Sequence, residues 1–158
     1  MDFLARIPFV DHLGFELLRL EPGESVIAIE LREELTNSLG VAHGGLLMTL
    51  MDIAMAHAAR SPLEPGGATL QTVVTIEMKT SFMRPGTGRL VCTGRRMHRT
   101  VSMAFCEARV VDLRGHLVGH STGTFKYLRP SAGAEPRRTQ RTSASVASVA
   151  SDASDASD

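Results

Sequence analysis

The sequence carries no excess of charge of either sign and no long apolar run. Its 17 basic and 17 acidic residues cancel, so composition gives no reason to propose a nucleic acid or a membrane surface as a partner. No apolar stretch approaches the roughly 20 residues that a membrane crossing needs. The N-terminal stretch MDFLARIPFVDHLG carries Asp2, Arg6 and Asp11 where a signal peptide would have an unbroken apolar segment. We therefore expect a cytosolic protein.

Cysteine is scarce, and potential metal ligands are poorly spaced. The two cysteines, Cys92 and Cys106, lie in strand-like segments without metal-ligand spacing, so we expect reduced thiols in the core. His43, Asp52 and His57 lack the i, i+4 spacing of metal ligands on one helix. We expect neither a metal nor another cofactor.

The chain has the length of one domain, followed by a segment of different composition. Its 158 residues suffice for a single domain with a substantial core. Beyond Pro130 the sequence is rich in Ser, Ala and Asp and has no periodic apolar face, so it cannot offset its ordering entropy by burial. We expect a folded domain over residues 1–130 and a disordered tail over residues 131–158.

Apolar periodicity and turn residues predict one long helix among many strands. The predicted elements are a short helix over Met1–Leu13, a β-hairpin of Phe15–Leu20 and Val26–Leu31, a long helix from about Leu46 to Ser61, and strands over Thr69–Phe82, Gly88–His98, Val101–Asp112 and His116–Leu128. Strands that follow one central helix favour an α+β domain with an antiparallel sheet. One helix can cover one face of such a sheet, which would wrap around it.

The long helix contains an unexpected carboxylate. It belongs to the stretch NSLGVAHGGLLMTLMDIAMAHAA, residues 37–59, where Asp52 stands among Leu, Met, Ile and Ala. Burial of a carboxylate among such residues is unfavourable unless the carboxylate has a polar partner or a chemical role. Desolvation would raise its pKa. A structural hydrogen bond would also account for Asp52.

His-Gly-Gly precedes this helix and favours an anion-binding helix N-terminus. The first backbone N–H groups of a helix have no intrahelical partner, and without a Cβ at Gly44 or Gly45 a ligand carbonyl can approach them closely. Alternatively, His43 only caps the helix, and the glycines only relieve crowding against the sheet.

Asp52 and Gly44 cannot serve one carbonyl within one chain. They are eight residues apart, which is about 12 Å along a helix axis. If two copies of the helix lie antiparallel across a two-fold axis, however, the N-terminus of one comes beside the middle of the other. A two-fold dimer, the commonest assembly of soluble proteins, would therefore form two shared sites.

The residues of this helix, followed by TIEMKTSFMRPG, closely resemble the hotdog-fold acyl-CoA thioesterases of the PaaI-like type. The core of the resemblance is an Asn six residues before His-Gly-Gly and an Asp eight residues after the first Gly. It extends from about Gly14 to about Leu128 and implies an antiparallel sheet of five or six strands wrapped around the central helix. It also implies homodimers that often pair into homotetramers.

The resemblance assigns a role to each residue of the motif. It implies Asp52 as nucleophile or general base, the Gly44 N–H as oxyanion donor, and Asn37 and His43 as residues that hold the thioester carbonyl or the attacking water. Thr75 falls where the family places a hydroxyl near that water, in the same subunit as Asp52. Thr72 or Gln71 would take this place if the alignment slipped.

Further residues are candidates for substrate binding. Met48, Met55 and Phe82 are candidates for an adaptable apolar pocket, because methionine fills irregular space. Arg84, beside Pro85, and Arg99, in the turn HRTV, would suit the phosphates of coenzyme A, and a solvated surface charge is the alternative for each. Further basic candidates are Arg95, Arg96, Lys126 and Arg129.

The leading hypothesis is hydrolysis of an aryl- or medium-chain acyl-CoA. A hotdog-fold hydroxyacyl-thioester dehydratase or hydratase is the second, although the spacing from His-Gly-Gly to Asp52 disfavours it. The third is a non-catalytic acyl-CoA-binding protein that uses the same pocket.

Overall fold

The computed structural model describes residues 3, 6–68 and 71–128 of the chain. Six antiparallel strands form one sheet in the order β1-β2-β4-β5-β6-β3, and one long helix packs against it. The elements are α1 (Pro8–Leu13), β1 (Glu16–Glu21), β2 (Glu24–Glu30), a 3₁₀ turn (Glu33–Leu35), α2 (Gly44–Arg60), β3 (Val73–Phe82), β4 (Arg89–Arg99), β5 (Met103–Val111) and β6 (Leu117–Tyr127).

This architecture confirms the predicted α+β fold with its antiparallel sheet around a central helix. The first helix is shorter than predicted, because Pro8 is its first residue and does not lie inside it. Proline favours the first helical position, where its missing N–H has no partner to lose. The third strand begins at Val73, so residues 71 and 72 are not part of it. The predicted tail, residues 131–158, lies outside the described residues.

The backbone of α2 lies directly on the sheet at one point. A Cβ built on Gly94 of β4 would stand 2.5 Å from both the carbonyl carbon and the oxygen of Ala54. The Ser25 hydroxyl of β2 donates to the same carbonyl oxygen at 2.7 Å. Small residues therefore permit a close approach of helix and sheet, and a buried hydrogen bond fixes the contact.

The C-terminal end of α2 is also tied to the sheet. The Arg96 guanidinium donates to the carbonyl oxygens of Ala58, Ala59 and Ser61 at 3.0–3.2 Å. The Tyr127 hydroxyl donates to Ala59 O at 2.8 Å. A cation at this end of a helix satisfies free carbonyl groups and opposes the helix dipole. Arg96, a further candidate for phosphate binding, is thus occupied by the helix.

Strand β3 forms an edge of the sheet and leaves apolar side chains exposed. Val74 is 40%, Ile76 53% and Phe82 52% exposed, although the strand has ten residues. A long apolar edge strand is open to pairing with another chain. Within the described part of the chain, no helix has both the length and the apolar character to cross a membrane.

We predict that Gly94→Ala destabilises the protein by about 3 kcal/mol or more, at or above the upper end of typical overpacking effects. The new methyl group would meet helix backbone, which cannot move aside as a flexible side chain can. Urea unfolding measures the change. Thr93→Ala, on the other face of the same strand, is the control and should cost about 0.5 kcal/mol or less. Equal effects of the two substitutions would contradict the close contact.

Candidate active site

His43 caps the N-terminus of α2 with its side chain. Its backbone is extended, and its Nδ1 accepts a hydrogen bond from the Gly45 N–H at 2.9 Å. An accepting Nδ1 carries no proton, so the neutral ring has its proton on Nε2. The capping histidine therefore offers one N–H donor, at Nε2, to a ligand.

The Gly44 N–H is left available at the helix N-terminus. The first intrahelical bond of this turn runs from Leu47 N to His43 O at 3.2 Å, and among the described residues Gly44 N has no acceptor. The Phe82 ring lies over this glycine, 3.5 Å from the position that a Cβ would occupy. The end of β3 thus reaches the N-terminus of α2, which we call the mouth of the helix.

Asn37 is held by a turn just before the helix. Its Oδ1 accepts hydrogen bonds from Leu39 N at 2.9 Å and Val41 N at 3.4 Å. The side-chain oxygen is therefore occupied, and the amide NH₂ group remains to bind a ligand. Asn37 can therefore act as a donor to a carbonyl or to a water, and its role in the reaction remains a prediction.

Asn37 and Gly44 share a cavity of about 320 Å³ with the loop between β3 and β4. Its walls are Asn37, Val41, Ala42, Gly44, Leu47, Phe82, Met83, Arg84, Pro85 and Gly86. We call it the Arg84 cavity, after the single charged residue that lines it. Ala42 N donates to Gly86 O at 2.9 Å and so joins its two sides.

Asp52 lies on the half-exposed side of α2 and is bonded to Thr75. The Thr75 hydroxyl donates to the carboxylate of Asp52 in the same chain at 2.7 Å. Thr75 faces the helix because β3 has an irregular register against β6 between Thr75 and Glu77. Burial raises the pKa of the Asp52 carboxyl above its ordinary value, and the Thr75 hydrogen bond opposes this rise.

The two halves of the predicted site lie apart within one chain. Asp52 is not among the residues of the Arg84 cavity, and eight helical residues separate it from Gly44, or about 12 Å. Met48, midway between them on α2, is 39% exposed despite its apolar side chain. A single chain therefore offers a carboxylate and an oxyanion donor that face different places.

Two predicted substrate-binding residues have other surroundings. Met55 is fully buried in the core, next to Gly123 of β6, and a residue without exposed surface cannot contact a substrate, so this prediction is wrong. The Arg99 guanidinium lies over the Tyr127 ring, 5.5 Å from its centroid, and so lies toward the C-terminal end of α2. Arg95, on the outer side of the sheet, pairs with Glu24 at 2.9 Å.

The fold is that of the thioesterase superfamily. Residues 39–118, about half of the chain, match the model of the Thioesterase superfamily. The chain belongs to this superfamily, and its fold is that of the PaaI-like hotdog proteins. It therefore falls among hydrolases of the thioester or ester type.

Individual relatives agree with this assignment. An Asn-to-Asp variant of the phenylacetic acid degradation protein PaaI from Thermus thermophilus superposes with a TM-score of 0.67, at 33% identity, over 77% of this chain and 100% of that one. A protein of Saccharolobus solfataricus, provisionally named an esterase, is 31% identical over 78% of this chain and 85% of its own length. The 1,4-dihydroxy-2-naphthoyl-CoA hydrolase of Listeria monocytogenes is 25% identical over 63% of this chain and 79% of its own.

We predict that Thr75→Val raises the pKa of Asp52 further. The lost hydrogen bond stabilises the charged carboxylate, so its removal leaves desolvation unopposed. Thr75→Ser, which keeps the hydroxyl, should retain the wild-type pKa. The test is a carbon-13 NMR titration of the aspartate carboxyl groups, with Asp52→Asn to assign the signal. A pKa that stays constant or falls in Thr75→Val would contradict this account.

Proposed function

We propose that the protein is an acyl-CoA thioesterase that hydrolyses an aryl- or medium-chain acyl-CoA to the free acid and coenzyme A. The observation that carries the proposal is the half-buried carboxylate of Asp52, bonded to Thr75, in a chain that also presents a free helix N-terminus at Gly44. The names of the PaaI and naphthoyl-CoA relatives, which refer to phenylacetic acid and to an aryl-CoA ester, support an aryl substrate.

A two-fold dimer would complete each site. If Asp52 of one chain faces Gly44 of its partner across antiparallel helices, the axis passes close to Met48, halfway between them in α2. The exposure of Met48 supports this position, since the axis would cover it with its own copy. The exposed apolar edge of β3 would pair with the same strand of the partner. Pairs of such dimers could form a tetramer.

In this site the thioester carbonyl oxygen accepts the Gly44 N–H at the positive end of the α2 dipole. Negative charge develops on that oxygen when the carbonyl carbon is attacked, and a fixed donor stabilises it. Asp52 of the other chain either attacks the carbon itself or takes a proton from the attacking water. The carbon–sulfur bond then breaks, and the thiolate leaves with a proton from the site or from solvent. If Asp52 is the nucleophile, a water then hydrolyses the acyl–aspartyl anhydride, which releases the acid and restores the carboxylate.

The other polar residues would position the reactants. Thr75 donates to one carboxylate oxygen and leaves the second one free to act. The Asn37 amide and the His43 Nε2–H both donate, so they suit the carbonyl or the lone pairs of the water. None of these steps uses a metal ion or another cofactor.

The phosphates of coenzyme A would meet arginines of both chains. Arg84 lies beside the helix mouth that binds the carbonyl. Arg99 lies toward the C-terminal end of α2, which in an antiparallel pair extends about 12 Å past the mouth of the partner helix. Arg84 of one chain and Arg99 of the other would therefore flank the exit from the site.

The alternative functions require different chemistry. A dehydratase or hydratase would act on the α and β carbons of the acyl chain, whereas the shared site proposed here would place Asp52 and the Gly44 N–H at the thioester carbonyl. A non-catalytic acyl-CoA-binding protein would not need a carboxylate with a raised pKa beside the carbonyl, and such perturbed groups are concentrated in active sites.

We predict that Asp52→Asn lowers thiol release from acyl-CoA by about 10³-fold or more, since it removes the nucleophile or base. The variant should nevertheless be at least as stable as the wild type at neutral pH. Because the folded-state pKa exceeds that of the unfolded chain, the carboxylate lowers stability as pH rises through that window, and the amide does not. Unchanged turnover in the folded variant would exclude Asp52 as nucleophile or base and end the proposed mechanism.

Hybrid dimers test whether each site is shared. Gly44→Pro removes the oxyanion N–H, while the helix tolerates it because proline suits the first helical position and His43 already has the extended backbone that precedes proline. A dimer of one Asp52→Asn chain and one Gly44→Pro chain keeps one intact site, so it should have about half the wild-type activity, although each parent is inactive. Gly44→Ala, which keeps the N–H, is the control. An inactive hybrid would refute the shared site.

A further inference from the structure

A second cavity lies on the other side of the mouth of α2. It has a volume of about 240 Å³ and lies between α1, the 3₁₀ turn and the first turns of α2. Its walls are Phe9, Leu13, Glu34, Leu35, Thr36, His43, Gly45, Leu46 and Thr49. We call it the α1 cavity. It borders His43 and Gly45, whereas the Arg84 cavity borders Gly44, so the oxyanion donor stands between the two.

The two cavities differ in the sign of their charge. Glu34 is the acidic residue of the α1 cavity, and its side chain is 77% exposed. Its nearest cation is Arg32, at 3.8 Å, which is a weak and solvent-exposed pair. The Arg84 cavity instead contains an exposed arginine without an ion-pair partner among the described residues.

The walls of the α1 cavity are otherwise mainly apolar. Four of the nine residues that line it, Phe9, Leu13, Leu35 and Leu46, have large apolar side chains. Phe9 is 57% exposed, so a large aromatic ring stands at the opening with little burial in the core. Ligand pockets are typically apolar with a few polar groups that fix the orientation of the ligand. Here His43, the N-cap residue, supplies such a group.

The Arg84 cavity also has mostly apolar walls, so it is the difference in charge that matches the two arms of an acyl-CoA. One arm, the acyl group, is apolar, and the other, coenzyme A, carries phosphates. Phosphates would be repelled by Glu34 and attracted by Arg84. The carbonyl at Gly44 lies where the two arms join.

We propose that the α1 cavity is the acyl-binding pocket and that the coenzyme A arm of the bound substrate extends across the Arg84 cavity. This inference rests on the proposed function. The cavity then selects uncharged aryl or medium-length acyl groups. Acyl groups that end in a carboxylate are rejected, because the Glu34 carboxylate would repel the negative charge at the end of the acyl chain. Phe9 and Glu34 are thus specificity-determining residues, one for length and one for charge.

Acyl selectivity tests this assignment with two variants and their controls. Phe9→Ala opens the cavity and should shift the ratio of kcat/KM for long over short acyl-CoA esters by about 10-fold, the effect of one or a few methylene groups in a pocket. Leu113→Ala, at a turn and 74% exposed, should leave the ratio unchanged. Glu34→Gln should raise kcat/KM for a dicarboxylic acyl-CoA relative to the uncharged ester of equal length, and the neighbouring Glu33→Gln should not.

Truncated substrates separate the two arms. Arg84→Ala should raise KM for acyl-CoA but not for the same acyl group on N-acetylcysteamine, which lacks the phosphates. Phe9→Ala should shift acyl selectivity equally on both carriers, since it acts on the acyl arm alone. A shift of acyl selectivity by Arg84→Ala, with none from Phe9→Ala or Glu34→Gln, would reverse the assignment and overturn it.

The outcomes also distinguish this inference from the proposed function. If wild-type hydrolysis depends on Asp52 but neither Phe9→Ala nor Glu34→Gln changes acyl selectivity, the acyl pocket lies elsewhere and only the inference fails. If no acyl thioester is hydrolysed in an Asp52-dependent reaction, the proposed function fails.

Discussion

The close contact between α2 and the sheet at Ala54 and Gly94 sets the position of the helix, on which the candidate site depends. Helix backbone touches strand backbone there, and the Ser25 hydroxyl bonds the same carbonyl group. Asp52 lies two residues before Ala54, and its side chain points toward β3, where the Thr75 hydroxyl donates a hydrogen bond to it. The position of the carboxylate is thus set by packing that has no chemical role of its own. Arg96 and Tyr127 hold the C-terminal end of the same helix, so α2 cannot easily slide along the sheet.

A rigid helix also explains why the candidate site is divided. Gly44 must lie at the end of α2 to offer a free N–H, whereas Asp52 must lie inside the helix to be partly desolvated. These requirements cannot be met at one place on one helix. Symmetry is a simple solution, because each end of an antiparallel pair combines the mouth of one helix with the middle of the other. Burial at that junction would add to the desolvation of Asp52 that each chain already provides.

The sequence predicted the fold well because its main signals are local. The apolar run that follows His-Gly-Gly and ends before Pro62 marked α2, and turn residues separated the long strands. The N-terminal helix was predicted too long, since apolar spacing alone does not show that Pro8 starts the helix. Met55 was mistaken for a pocket residue because the sequence does not show which methionines of α2 face the sheet. The α1 cavity could not be predicted, as it forms only where α1, the 3₁₀ turn and α2 meet. The resemblance placed the Thr75 hydroxyl near the attacking water but did not predict its hydrogen bond to Asp52, and the catalytic roles remain predictions.

The irregular register in β3 has a consequence for both halves of the site. Along a regular strand, alternate residues face the same side, so Thr75 and Phe82, an odd number of positions apart, would point in opposite directions. The extra residue at Ile76 changes this parity, and both side chains turn toward α2, one at Asp52 and one at Gly44. Deletion of that one residue would restore regular pairing and turn either the hydroxyl or the ring outward. A single backbone insertion thus lets one strand contact both the middle and the N-terminus of the same helix.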